Sequence, residues 1–145
     1  VEMAGSAKID FIGVVESVGD DTSTVRVFPE FSDGLFGLEA FSHVIVLYWS
    51  HLRDNVKDRC VLRVIPRRHE GDPEIGVFGS RSPSRPNPIA LCVCELVRVE
   101  GSGMVLKELD AVVGSPIIDI KPYLPRADSV PSARVPEWFR HGPPA

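Results

Sequence analysis

Residues Gly76 to Val99 read GVFGSRSPSRPNPIALCVCELVRV: an apolar entry at Ile75, Val77 and Phe78, then a segment with three prolines and two arginines, then a long apolar exit. Pro83, Pro86 and Pro88 each fix φ, lack an amide donor and bias the preceding residue toward an extended backbone. The segment is therefore a rigid loop between two strands. Arg81 and Arg85 stand on it four residues apart, beside Ser80, Ser82, Ser84 and Asn87. Two readings fit this pattern. One is a preorganised donor surface for an anionic or carboxylate-bearing ligand. The other is a proline-stiffened turn whose arginines pair with local acids.

Around that loop, 145 residues are about the length of one domain, and 43% hydrophobic content suffices for one sizeable core. A net charge of −4 gives no overall pull toward nucleic acid or an anionic membrane, so a nucleic-acid site would have to be a local basic patch. No apolar run approaches ~18 residues, and no charged segment followed by an apolar one opens the chain. Neither a membrane span nor a secretory signal is expected, and the expected compartment is cytoplasmic. Cys60, Cys92 and Cys94 are odd in number and lack CxxC spacing, and an extended strand would put Cys92 and Cys94 on one face. All three read as buried small apolar residues, with no metal site or disulfide expected.

Isoleucine, phenylalanine and valine crowd Ile9 to Val18, and Gly13 within the run marks a bulge or a close backbone approach. A turn leads to a second strand, Thr24 to Phe28, ended by Pro29, so the two form a hairpin. Phe31 to Glu39 reads as a loop with at most one helical turn. His43 to Trp49, HVIVLYW, is a buried strand with His43 at its entrance and His51 just past its end. Arg53 to Arg59 reads as a charged loop, Cys60 to Ile65 as a strand closed by Pro66, and Arg67-Arg68-His69 as part of a solvated loop of mixed charge.

Ile89 to Val99 reads as a long strand, a helix being the alternative; Met104 to Leu109 and Ile117 to Ile120 follow as short strands. In the tail, Pro136 to Phe139 is read as one helical turn, with Trp138 and Phe139 docking on the body. Many short strands and little helical periodicity predict an all-β fold, a sandwich or a barrel, with short helical turns and a proline-rich C-terminal tail. The expected organisation is a loose N-terminus over 1–8, one domain over 9–129, and a tail over 130–145 that packs on it or on a partner.

Three blocks then occur together and in order: GLEAFSHVIVLYW (Gly37 to Trp49), GVFGSRSPSRPNPIAL (Gly76 to Leu91) and LDAVVGSPIIDIKPYLP (Leu109 to Pro125). They resemble the TsaA-like, or TrmO, family over most of the chain. The resemblance implies a small single-sheet β-barrel that forms a homodimer and binds S-adenosylmethionine. It also implies methylation of the exocyclic nitrogen of N6-threonylcarbamoyladenosine next to the anticodon of transfer RNA. Carried over residue by residue, it assigns Arg81, Ser82, Arg85, Pro86, Asn87 and Pro88 to the cofactor loop, with Leu91 just beyond. His51 falls where the family has a histidine near the cofactor, Leu109, Asp110 and Ala111 form a second cofactor-contacting segment, and Asp119, Lys121, Pro122 and Tyr123 match a DIKPY block. A carboxylate for an arginine and an adenine for backbone and apolar groups suit that cofactor.

Two departures from the family pattern bear on the acceptor. No Pro-Arg-Gln segment occurs between Val15 and Pro29, and Val113-Gly114 stands where the family carries Asp-Gly. Methyl transfer is an in-line displacement that needs the acceptor placed behind the methyl group and a base or acceptor nearby; Asp110, Asp119, Tyr123 and His51 are the candidates, with a loop-holding role as the alternative for Asp119 and Tyr123. A transfer RNA would be gripped by basic residues such as Arg67, Arg68 and Lys121. Three functions remain open: a transfer RNA methyltransferase, a diverged S-adenosylmethionine-dependent enzyme with a small-molecule substrate, and a non-catalytic cofactor-binding module.

Overall fold

The computed structural model describes residues 5–66 and 71–140, which group into two compact units, Val1–Trp49 with Leu91–Tyr123 and Ser50–Ala90 with Leu124–Ala145. The first unit is built on a single sheet closed into a barrel, as expected for an all-β chain of this pattern. Its strands are β1 (Gly13–Val18), β2 (Thr22–Val27), β3 (His43–Trp49), β6 (Ile89–Glu100), β7 (Gly103–Lys107) and β8 (Pro116–Pro122), in the spatial order β1-β2-β7-β6-β3-β8. Closure by β8 onto β1 puts Gly13 opposite Ile117 and Val14 opposite Pro116.

Alternation decides which side chains fill the barrel. In β3 every second residue is buried, so Val44, Val46 and Tyr48 point inward, and Val15, Val25, Val27, Cys94, Leu96, Met104, Leu106 and Ile117 complete the core. The sheet bends through register shifts at Val15/Ser17, Leu47/Tyr48 and Leu96/Arg98, where an extra residue tightens the local twist. Gly13 marks the close approach anticipated for it: a Cβ there would run into the Arg26 carbonyl oxygen. The first strand is shorter than expected, and Ile9 and Phe11 remain exposed; the Phe11 ring lies 6.1 Å from that of Trp49.

Between β2 and β3 the chain forms two 3-10 helices, Pro29–Leu35 and Leu38–Ala40, more helical structure than the glycines of that segment had suggested. Pro29 supplies the helical φ at the first position and Leu35 buries against the core.

The second unit departs most from expectation. Arg53 to Arg59 is no loop: a 3-10 turn (His51–Arg53) is followed by α1 (Val56–Arg59), whose N-cap Asn55 accepts the Asp58 amide hydrogen at 2.8 Å. Cys60 closes α1, its amide bonding back to Val56 and Lys57, and is exposed rather than buried; the capping bonds outweigh its preference for an apolar site. The anticipated strand Cys60 to Ile65 shrinks to β4 (Arg63–Val64), paired with β5 (Ile75–Gly76) in a two-residue ladder. Val77 to Gly79 turns into a 3-10 helix that buries Val77 and leaves Phe78 exposed. After α2 (Pro125–Asp128), the tail forms α3 (Glu137–Arg140), where the Trp138 and Phe139 rings meet edge to face at 5.8 Å.

Candidate functional site

Ser80 to Pro88 is held in shape from three directions inside the second unit. The Arg85 guanidinium donates to the carbonyls of Ser80 at 3.0 Å and Ser82 at 3.1 Å, so this arginine ties the loop to itself. Arg59 of α1 donates from Nε to the Pro86 carbonyl at 2.9 Å and from Nη2 to Asn87 Oδ1 at 3.3 Å, while its Nη1 bonds Asp54 at 2.8 Å. Asp58 accepts the Ser84 hydroxyl hydrogen at 2.7 Å and an Asn55 amide hydrogen at 2.7 Å. Those hydrogen bonds, with Arg53 and Lys57 nearby, hold the Asp58 carboxyl below the usual carboxylate range. At the loop's end Pro88 is fully buried and its carbonyl accepts the Ser50 amide hydrogen at 2.8 Å.

Asp58 and Arg59 were absent from the sequence-based candidates. The signal available for them was Asn55 three residues before Asp58, a helix-start pattern inside a run that otherwise reads as solvated charge.

Arg81 differs from its neighbours in having no hydrogen-bond or ion-pair partner among the described residues. Together with Ser80 and Ser82 it lines an open cavity of about 480 Å³, whose other walls are Val64, Ile65, Pro66 and Phe139. Phe139 thus brings one of the two tail aromatics over the loop. In the same unit, His51 Nδ1 is buried without a hydrogen-bond partner among the described residues. A guanidinium without a partner among the described residues, beside two serines at a cavity of ligand size, fits a polar cofactor with a carboxylate, such as S-adenosylmethionine.

The remaining described candidates lie in the first unit, where Leu91 is exposed on β6. Leu109, Asp110 and Ala111 follow β7. Leu109 is buried and Asp110 is exposed, with its carbonyl accepting the Tyr48 hydroxyl hydrogen. Burial and the neighbouring Asp110 carboxylate push the Tyr48 phenol up to about 12. On β8 Asp119 pairs with Lys121 at 3.0 Å and accepts the Ile120 amide hydrogen at 2.9 Å. Tyr123 donates its amide hydrogen to the His43 carbonyl at 3.0 Å, and the two rings stand edge to face at 6.4 Å. Arg67 and Arg68 lie outside the described residues. Val113, in place of a carboxylate, is exposed like its neighbour Val112 and stands beside Gly114, whose φ of 90° forms the turn into β8.

Cys92 and Cys94 sit on one side of β6 as their spacing required, yet only Cys94 is fully buried. The Cys92 thiol donates to the Glu108 carbonyl at 3.0 Å. A hydrogen bond from Cys94 lowers the Cys92 thiol to about 7, and the same bond with burial raises that of Cys94.

Comparison with known proteins gives a consistent result. Among curated proteins, an S-adenosyl-L-methionine-binding protein of Archaeoglobus fulgidus is 47% identical over 111 residues, covering 77% of this chain and 76% of that protein. The tRNA (adenine(37)-N6)-methyltransferase of Escherichia coli is 39% identical over 125 residues, 83% of this chain but only 52% of the relative. A crystal structure of TrmO from Pseudomonas aeruginosa superposes with a TM-score of 0.72 at 27% identity, covering 94% of this chain and 63% of that one. The chain therefore spans about half to two thirds of these methyltransferase relatives. The family described as the tRNA-methyltransferase O N-terminal domain matches residues 15–129, a span that takes in five complete barrel strands, most of β1 and the whole Ser80–Pro88 loop, and the chain belongs to that family.

Proposed function

We propose that this protein binds S-adenosylmethionine and methylates the exocyclic N6 of adenine 37 in a transfer RNA carrying N6-threonylcarbamoyladenosine. The observation that carries the reading is the division of labour on the loop. Arg85, Arg59 and Asp58 hold its backbone and short side chains, while Arg81, with no partner among the described residues, stands at the cavity that Ser80 and Ser82 also line. A cation carried on a loop whose backbone is already held is suited to the cofactor's carboxylate, and the loop itself loses little conformational freedom when the cofactor binds. His51, Pro86, Asn87, Pro88 and Leu91 belong to the cofactor site in this reading, and Leu109, Asp110 and Ala111 form its second contacting segment.

The bound cofactor supplies an electrophilic methyl group on a sulfonium leaving group. The chain's part is to hold the acceptor in line and to receive the proton that N6 gives up as the new N–C bond forms. The exposed Asp110 carboxylate suits that role better than Asp119, which Lys121 already pairs, or Tyr123. Lys121, Arg67 and Arg68 contact the phosphates. A transfer RNA substrate is consistent with a cytoplasmic location in this reading; among the described residues no helix is long and apolar enough to cross a membrane. Residues 9–129 are the functional domain in this reading, and 130–145 the tail. A homodimer is supported by the apolar outer side of β6, where Leu91 and Val93 are 46% and 39% exposed.

The exposed Val112 and Val113 favour a second reading, a cofactor-dependent enzyme whose acceptor is a small molecule. Incubation with labelled S-adenosylmethionine and transfer RNA, with and without threonylcarbamoyladenosine, separates the two. Label only in the modified RNA is expected. Label in neither, from protein that binds the cofactor, overturns the transfer RNA assignment.

A further inference from the structure

The segment between β7 and β8 is held more tightly than a connection requires. Among the described residues Glu108 alone takes a left-handed backbone without being glycine, with φ at 70°; Gly37, Gly71, Gly101 and Gly114 occupy the other such positions. That conformation brings a Cβ close to backbone atoms and persists only where surrounding contacts over-determine it. Here they do. Tyr48, an inward residue of β3, donates its hydroxyl hydrogen to the Asp110 carbonyl, and Cys92 of β6 donates its thiol hydrogen to the Glu108 carbonyl at 3.0 Å. Leu109 between them is buried. Two side chains from different strands thus grip carbonyls two residues apart, on either side of an apolar anchor.

We propose that Tyr48 and Cys92 are positioning residues that clamp the Glu108–Asp110 turn so that the backbone of Leu109 to Ala111 meets the cofactor in a fixed orientation. The proposal rests on the reading of Leu109–Ala111 as a cofactor-contacting segment. Backbone groups recognise a planar heterocycle such as adenine only when their directions are set beforehand, and a turn free to rotate would lose that. The thiol form makes the grip on Glu108; the Asp110 amide and Cys94 favour the thiolate and the carboxylates of Glu108 and Asp110 oppose it, so the Glu108 arm of the clamp weakens as the sulfur ionises. Tyr48 keeps its donor hydrogen throughout the neutral range because burial disfavours its phenolate.

Hydrogen exchange and calorimetry on the full chain test this. Without cofactor, Tyr48→Phe and Cys92→Ala should speed exchange of the Leu109, Asp110 and Ala111 amides, while Cys92→Ser, which retains a donor, should not. Each of the first two should weaken S-adenosylmethionine binding about three- to tenfold, the loss of one hydrogen bond. The double variant should lose less than the product, because both groups hold one turn. Cys92→Ser should stay within about twofold. Faster exchange with unchanged cofactor affinity, or no change in exchange, overturns the proposal. A separate arm compares wild-type exchange with and without S-adenosylmethionine. Binding that leaves Leu109 to Ala111 unprotected removes the cofactor reading of the segment, and the ligand-free arm then still decides whether the clamp exists.

Discussion

Asp58 and Ser84 are 26 residues apart in sequence, and their side chains meet at 2.7 Å. The contact joins α1 to the proline-rich loop, beside the grip of Arg59 on Pro86 and Asn87. Asp58→Ala should lower stability at neutral pH, with the difference shrinking in acid. The sign follows from the direction of the shift. A carboxyl held below its unfolded value contributes stability above about pH 4 and loses it as pH falls through the folded value. Urea unfolding of wild type and variant at pH 7 and pH 3 checks this; a gap independent of pH would show that the charged form is not what holds Ser84.

Arg81 and Arg85 should separate cleanly. Arg81→Ala is expected to leave the melting temperature unchanged and to weaken S-adenosylmethionine binding about ten- to a hundredfold, as for a charge-assisted hydrogen bond of roughly 1.5–3 kcal/mol. Arg85→Ala removes the bonds to Ser80 and Ser82 and should lower the melting temperature as well as the affinity. Calorimetry beside thermal unfolding distinguishes the two, and equal effects of the two substitutions on both quantities would remove the division of roles.

Tyr48 should titrate late. Its phenol is pushed up to about 12 by burial first and Asp110 second. For a raised acidic group the neutral form is favoured on folding, so the contribution is complete below its ordinary value near 10 and is lost between about pH 10 and 12. The phenolate absorbance of wild type minus that of Tyr48→Phe should rise with a midpoint about two units above a free phenol. A midpoint near 10 would mean that the hydroxyl is not enclosed.

Transfer RNA binding by an acidic chain has to come from a localised patch, so its affinity should fall steeply with salt. Replacing Arg67 and Arg68 together by alanine should weaken binding to all transfer RNAs alike and flatten the salt slope, because phosphate contacts carry no sequence information. Cofactor affinity should not change. Filter binding across a salt series reads both, and an unchanged slope would exclude these two residues from the phosphate contacts.

Leu91→Asp with Val93→Asp should turn a homodimer into a monomer in sedimentation runs, since both side chains lie on the outer side of β6. A wild-type protein that sediments as a monomer at micromolar concentration removes the dimer from the reading.

Elements whose determinants are local were legible in the chain itself. HVIVLYW alternates and forms β3 over the same residues, and the run from Ile89 became β6, because burial period and strand period coincide within a few residues. Pro83, Pro86 and Pro88 stiffened the loop through their own rings. What tertiary structure decided involves partners distant in sequence. Asp58 holds Ser84 across 26 residues, Arg59 reaches Pro86 across 27, and Tyr48 reaches Asp110 across 62. The left-handed Glu108 carries no glycine to announce it, and side chains of β3 and β6 bond the turn at Asp110 and at Glu108. A side chain's propensity is set by its neighbours in the chain, whereas its hydrogen-bond partner is set by which strands the closed barrel brings together.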